Sequence, residues 1–398
     1  MVDRGVNMYR LEEKINILKQ NVSKRRVKIM IMGLGSVGTY LLDYLMSAKD
    51  EKIEIFVVGR NREKMVSDVN IVRVAALIRN QNRTDIKIVS DVDFNHMESI
   101  ARCIQNCQPD IIVNSSRAYS GLKYGSISWK KIRAYGIWAP LSIKYIRNIM
   151  DAYEKVGSNA IVIHTSYSDA VIPWLKTAGK AYPDFGSGNI NHLIPRIQFA
   201  VAEEYGIADY WNIDVTYAVS HFHDVVISKE GQTEHVRQLI DLRYHNQKLE
   251  PDMDAIFSAC KIPMPVDAKR NMMNASSNFE IIQGILSAIR EGKKVKLHCP
   301  GIFGEIGGYP VMIDGTNTQI KVVIEETYFD LDAMRKKNRE SIYLDGIEEI
   351  REGVLFYTDE LIEKCKTAFG VSLMKQVAFE DIDKVAQFLI EEIIEKNI

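Results

Sequence analysis

The stretch Val27-Lys28-Ile29-Met30-Ile31-Met32 running into Gly33-Leu34-Gly35-Ser36-Val37-Gly38 narrows the possible folds of this chain more than any other feature. An apolar run of strand length meets three glycines spaced G-x-G-x-x-G, and a helical pattern at Val37, Leu41, Leu42 and Leu45 follows at once. In that order, the first glycine makes the turn and the second lets backbone approach a phosphate. The third lets the helix pack closely on the strand. Ser36 and Val37 open the helix, whose first backbone N–H groups have no partner of their own. Without the flanking strand and helix, the glycines would be only a structural turn.

Further strand-like runs occur at 53–59 (IEIFVVG), 86–89 (IKIV), 110–114 (DIIVN) and 160–164 (AIVIH), separated by helix-length intervals. This alternation predicts an α/β fold: a Rossmann-type, doubly wound parallel sheet covered on both faces. A dinucleotide is the ligand such a turn suits. About 20 residues past the glycines an acidic residue would hold a ribose 2′-hydroxyl, but here the chain reads Gly59-Arg60-Asn61-Arg62. A guanidinium pairs with a 2′-phosphate through two parallel hydrogen bonds, where a carboxylate would repel it. NADP(H) is therefore expected, with NAD(H) possible. The plainer reading of Arg60 and Arg62 is solvated loop charge.

At 398 residues the chain is too long for one ordinary core. Three parts are expected: an N-terminal helix or extension over 1–24, a dinucleotide-binding domain over 25–165, and an α+β substrate domain over 166–398. In the last, YPDFGSGN reads as a loop, 191–205 as a helix, WNIDVTYAVSHFHDVVIS as strand-like, 234–248 and 276–291 as helices, 295–324 as strands broken by glycines, and 378–396 as an amphipathic helix. The charges nearly cancel, 51 basic against 52 acidic, so neither nucleic acid nor a membrane is an expected partner. Five dispersed cysteines do not make a secreted disulfide framework, and no signal peptide is evident, so a cytoplasmic location is expected. Cys103 and Cys107 read as buried apolar residues rather than metal ligands.

Gly188-Asn189-Ile190-Asn191-His192-Leu193-Ile194-Pro195-Arg196, the helix IQFAVAEEYGI after it, and VSHFHD at 219–224 together resemble the lactate/malate dehydrogenase superfamily. HTSYSDAV at 164–171 looks like that family's Asn-Pro-Val-Asp stretch, with Asp169 on its Asp. The segment from Ala275 through Asn317 resembles its late helix and strand pair. The resemblance implies an oxidoreductase that transfers hydride between a nicotinamide and a 2-oxo or 2-hydroxy acid, a small anionic substrate, and a homodimer or homotetramer. It gives Arg196 the role of holding a substrate carboxylate and His221 or His223 the role of acid/base, suited to an imidazole that titrates near neutrality. Asn191, His192, Asn274 and Ser277 become candidates for the substrate pocket. Asn114, Ser115 and Ser166 become candidates for the dinucleotide cleft, and no resident metal is expected.

The chain departs from the family pattern at informative places. Leu193 stands where the family has the Asp that orients the histidine, and Ser166 and Tyr167 replace an Asn and a Pro. Asp169, Asp214 and Asp224 are the expected substitutes as carboxylate partner. On a strand, His221 and His223 would share a face, so alternation does not choose between them. Arg117 and Arg133 are the arginines available after the fourth strand. Two other readings stay open. One is an NAD-dependent, metal-assisted glycoside hydrolase on the same fold; the other is a dinucleotide-binding protein without catalysis.

Overall fold

The computed structural model describes residues 10–48, 50–79, 84–188 and 190–397. Helix α1 (Leu11–Val22) leads to β1 (Val27–Met32), and helices then alternate with strands: α2 (Ser36–Ser47), β2 (Ile53–Val58), α3 (Arg62–Arg79), β3 (Asp85–Val89), α4 (Met97–Cys107), β4 (Ile111–Asn114), α5 (Gly121–Ile127), α6 (Ala139–Lys155), β5 (Ile161–His164), α7 (Ser168–Thr177) and β6 (Phe185–Gly186). The six strands are all parallel, in the order β3-β2-β1-β4-β5-β6. Helices cover both faces, which is why β1, β4 and β5 are almost continuously apolar and buried while edge strand β3 is only partly so. The order reverses between β1 and β4, so a crevice opens there at the carboxyl ends of the strands.

The second half contains α8 (Ile190–Tyr205), β7 (Ile213–Ala218), α9 (His221–Glu230), β8 (Leu239–Tyr244), β9 (Gln247–Leu249), α10 (Met253–Ala259), α11 (Asn271–Glu291), β10 (Lys294–Pro300), β11 (Gly308–Asp314) and β12 (Lys321–Ile324). It closes with α12 (Leu331–Leu344), β13 (Ile347–Arg351), β14 (Val354–Tyr357), α13 (Asp359–Phe369), β15 (Gln376–Ala378) and α14 (Ile382–Phe388), which continues as a π-helical turn to Ile394. The nine strands from β7 onward form three antiparallel sheets of three. Helix α1 is fastened to the β5–β6 side by a fully buried ion pair, Lys14 Nζ to Asp184 Oδ1 at 2.9 Å, and Asp184 also accepts the Val162 N–H.

Three expectations are corrected. Residues 234–248, expected as a helix, are instead irregular to Gln238 and then form the β8–β9 hairpin, in which His245 and Asn246 both take positive φ (46° and 65°), the two-residue turn whose twist matches paired strands. The loop YPDFGSGN at 182–189, of which position 189 lies outside the described residues, contains β6, a strand too short to show a period. The strand carrying VSHFHD stops at Ala218, and His221 begins α9. The last fifty-odd residues pack back against the helices of the parallel sheet. Ile342, Ile350, Leu355, Leu361, Leu389 and Ile393 share one core with Ile104, Ile146 and Trp174 of α4, α6 and α7. That packing carries the loop after α12 to Tyr167, between β5 and α7.

Candidate active site

The glycine turn has the geometry its spacing asks for. Gly33 has φ +93°, and a Cβ there would lie 2.9 Å from the Ser116 Cα. A Cβ on Gly38 would meet the Gly33 carbonyl oxygen at 2.2 Å, so helix α2 packs against the turn as only glycine allows. Nothing lies within 4 Å of a Cβ on Gly35, the residue preceding α2, so this backbone is open to a ligand. Ser115 Oγ donates to the Gly33 carbonyl at 2.7 Å, and Ser36 Oγ accepts from Asn271 Nδ2 at 2.5 Å, tying the turn to α11. At the end of β2, Gly59 packs on Met65, while Arg60, Asn61 and Arg62 are exposed. Asn61 Oδ1 accepts from the Lys64 N–H of the following helix, and Arg62 reaches only Ser90 Oγ, at 3.5 Å.

Asn114 and His164, at the ends of β4 and β5, form a buried pair, Asn114 Nδ2 donating to His164 Nδ1 at 3.1 Å. Asn114 Oδ1 accepts from both the N–H and the hydroxyl of Ser116. Burial pushes the His164 pKa down to about 3. Ser166 Oγ donates to Ser142 Oγ at 3.0 Å. These polar groups support the floor of the crevice through each other.

The two histidines of VSHFHD lie two residues apart at the start of α9, hence about 200° apart around its axis. His223 is buried, with Nε2 donating to the Thr233 carbonyl at 3.1 Å and Nδ1 accepting from Ser341 Oγ at 2.7 Å. Burial drives its pKa to about 4, so it is neutral and fully engaged. His221 keeps 20% of its side-chain exposure, and its Nδ1 lies 3.0 Å from Asp345 Oδ2. Tyr135 and Tyr167 meet the imidazole edge-on, with ring centroids 4.9 and 5.1 Å away. Burial alone would depress the His221 pKa. Asp345, with its charge and its hydrogen bond, and then Asp169 and Asp224 outweigh that, and the pKa is raised.

Asp345, the C-cap of α12, is fully buried and well held. It accepts the Tyr135 N–H at 2.7 Å and the Tyr167 hydroxyl at 2.8 Å as well as the imidazole. Tyr167 reaches it from a left-handed backbone conformation (φ 51°) that costs a bulky residue on the order of 1–3 kcal/mol. The residues expected as carboxylate partner do other things. Asp169 Oδ2 accepts the backbone N–H of His221 at 2.9 Å, and Asp214 pairs with Lys296 on a neighbouring strand. Asp224 lies buried with Oδ1 unpartnered, its pKa pushed up by burial to about 6. Nothing in the sequence marks Asp345, and the only local hint was the tyrosine standing where the family has proline.

The expected substrate residues are spread over the same wall with varied contacts. Arg196 is 3% exposed and spends its terminal nitrogens on the Cys260 carbonyl and Met264 Sδ, both at 3.0 Å, while Nε has no partner. Its guanidinium therefore offers no open fork, because α10 and the chain after it close over it. Leu193, in place of the family's Asp, is buried among apolar residues. Asn191 donates to Glu280 and leaves Oδ1 unpartnered, and His192 Nε2 is likewise orphaned, with burial lowering its pKa to about 3. Ser277 Oγ accepts the Gly188 N–H at 2.7 Å, and Asn274 Nδ2 donates to Asn271. Arg117 is exposed, and Arg133 is bound by Glu230 and Glu234. The glycine-dense loop at 301–308 is a packing device: a Cβ on Gly307 would meet the Asn338 side chain at 2.2 Å. Among the described residues, no group of three or more His, Cys, Asp or Glu is placed to hold a metal ion, and no helix is long and apolar enough to cross a membrane.

At the level of sequence, no family model and no curated protein matches the chain. Solved structures do. Malate dehydrogenase from Picrophilus torridus superimposes with a TM-score of 0.55 at 15% identity, over 80% of this chain and 96% of that one. Malate dehydrogenase from Cryptosporidium parvum gives 0.51 at 14% identity, over 80% and 98%. The lactate dehydrogenase of the same organism gives 0.51 at 13%, over 80% and 96%. The chain has the lactate/malate dehydrogenase fold. In this version of that fold, the carboxylate bonded to the acid/base candidate comes from the loop after α12 rather than from α8.

Proposed function

We propose that the protein is an NAD(P)-dependent oxidoreductase, preferring NADP(H), that interconverts a 2-oxo and a 2-hydroxy acid-like anionic substrate, with His221 as the proton carrier. The observation that carries this reading is the His221–Asp345 pair, held by Tyr167 just beyond the end of β5. The open backbone at Gly35 and the exposed Arg60 and Arg62 fit a dinucleotide with a 2′-phosphate. When bound, the nicotinamide supplies or accepts the hydride.

The chain's own task is the proton. Asp345 fixes Nδ1–H as the bonded tautomer, which leaves Nε2 to meet the substrate oxygen. The same carboxylate stabilises the imidazolium, so the ring keeps a proton to donate when a ketone is reduced and recovers one when an alcohol is oxidised. Tyr135 and Tyr167 hold the ring's plane. The orphaned His192 Nε2 and Asp224 Oδ1 are the polar groups a bound hydroxy acid would satisfy.

Absorbance of NADPH and, separately, of NADH, followed over a panel of 2-oxo acids, tests the reading. The expected result is consumption of NADPH with at least one acid, lost in His221→Ala and kept in His223→Gln. A wide preference for NADH would overturn the assignment of Arg60 and Arg62. No consumption with either reductant, despite dinucleotide binding, would leave a binding protein without catalysis.

A further inference from the structure

With Arg196 enclosed, a proposed anionic substrate needs another cation, and one stands beside the pocket without a partner. Arg270 ends the short turn that Asp267 caps, immediately before α11. It is half-buried, and its guanidinium takes no hydrogen bond or ion pair among the described residues. Its place is fixed on two sides. The next residue, Asn271, bonds Ser36 of the glycine turn, and about one and two helical turns later Asn274 and Ser277 lie against Gly188 at the entry to α8. Arg270 thus stands where the dinucleotide turn meets the wall of α8 and α9. Its charge is felt by His192, Arg196, Asp224 and Tyr135, the last in contact with the His221 ring.

Arg270 makes no hydrogen bond or ion pair among the described residues, and the buried Asp224 Oδ1 that feels its charge has no donor, so the two leave hydrogen-bonding capacity that one ligand of matching polarity would fill. We propose that Arg270 is the substrate-anchoring guanidinium, gripping the substrate carboxylate through two parallel hydrogen bonds, while Asp224 accepts from a hydroxyl or ammonium group borne by the same substrate. The substrate class is then an oxo or hydroxy acid with a second hydrogen-bond donor. This rests on the proposed function for the word substrate, and on the unpartnered groups for the rest.

The test is calorimetric binding of pyruvate and of 3-hydroxypyruvate, which differ by one hydroxyl, to protein loaded with oxidised NADP, in which no reduction occurs. Wild type is expected to bind 3-hydroxypyruvate more tightly than pyruvate. Arg270→Gln is expected to weaken both about tenfold or more, as removal of a charge-assisted pair does, with Arg270→Lys recovering part because an ammonium lacks the fork. Asp224→Asn is expected to remove the difference between the two acids. Oxidised NADP should bind wild type and Arg270→Gln alike. The proposal is overturned if Arg270→Gln binds both acids as wild type does, if it loses the dinucleotide instead, or if neither acid binds wild type. It is also overturned if Arg196→Gln, shown folded by circular dichroism, abolishes binding that Arg270→Gln retains. Turnover is measured separately: Arg270-dependent binding without NADPH consumption would sink the oxidoreductase reading and leave the anion site standing.

Discussion

The glycine turn follows β1, and Tyr167, which braces the His221–Asp345 pair, follows β5 at the same end of the sheet, but the turn and the histidine pocket are built in opposite ways. In the turn, backbone meets backbone: the Gly38 position touches the Gly33 carbonyl, and β1 feeds α2 within a few residues. In the pocket, a side chain on α9 finds its carboxylate 124 residues downstream. The first arrangement tolerates almost no change in residue type, whereas the second needs only that some buried carboxylate arrive from somewhere. A fold can therefore keep its dinucleotide turn while the acid/base support is rebuilt from another segment.

The sharpest way to break this contrast is Asp345→Asn. It should lower the rate of acid reduction by ~10²–10⁴-fold, the scale of a positioned acid/base, and leave dinucleotide affinity unchanged. Stopped-flow single-turnover rates with fluorescence titration of NADPH would read both, and equal losses in the two would erase the distinction. Next in size is Gly38→Ala. Its Cβ has no room beside the Gly33 carbonyl, so we expect a stability loss of about 1–3 kcal/mol in urea unfolding together with weakened dinucleotide binding. Gly35→Ala, in open space, should leave unfolding unchanged and affect binding alone.

A smaller effect is expected from Arg60→Ala/Arg62→Ala. NADPH should bind about 10- to 100-fold less tightly, the range for losing hydrogen bonds to a charged group, with NADH unaffected. Retained discrimination between the two in the double variant would show that the 2′-phosphate is read elsewhere. The smallest effect separates the two histidines by NMR titration of their ring protons. The His221 pKa is raised, so its contribution to stability is complete below the unfolded value of about 6.5 and is lost as pH rises through the folded one. The His223 pKa is lowered to about 4, so its contribution holds above the unfolded value and is lost as pH falls toward 4. Coincident titration of both rings would refute the distinction.

The sheet was legible in the sequence because its strands are buried on both faces and read as unbroken apolar runs, with helical periods between them. The β8–β9 hairpin was not, since its turn uses His245 and Asn246 rather than glycine and its strands mix polar and apolar residues. At the site, His221 was among the candidates from its neighbours, but the choice over His223 needed the start of α9, which moves the two rings to different sides. Asp345 was invisible because a single acid at a helix end has no pattern. Arg270 was equally unmarked, since its interest lies in what it lacks. Arg196 matched the family by position, yet the chain after α10 folds over it.

Because Asp345 lies beyond α12, the chain acquires the carboxylate bonded to His221 late in synthesis. A ribosome-bound nascent chain that ends before α12 holds the whole parallel sheet and the glycine turn, but its His221 stands without the carboxylate. Premature termination, or proteolytic clipping between α11 and α12 followed by loss of the tail, would remove that carboxylate and also bare the core that the tail shares with α4, α6 and α7.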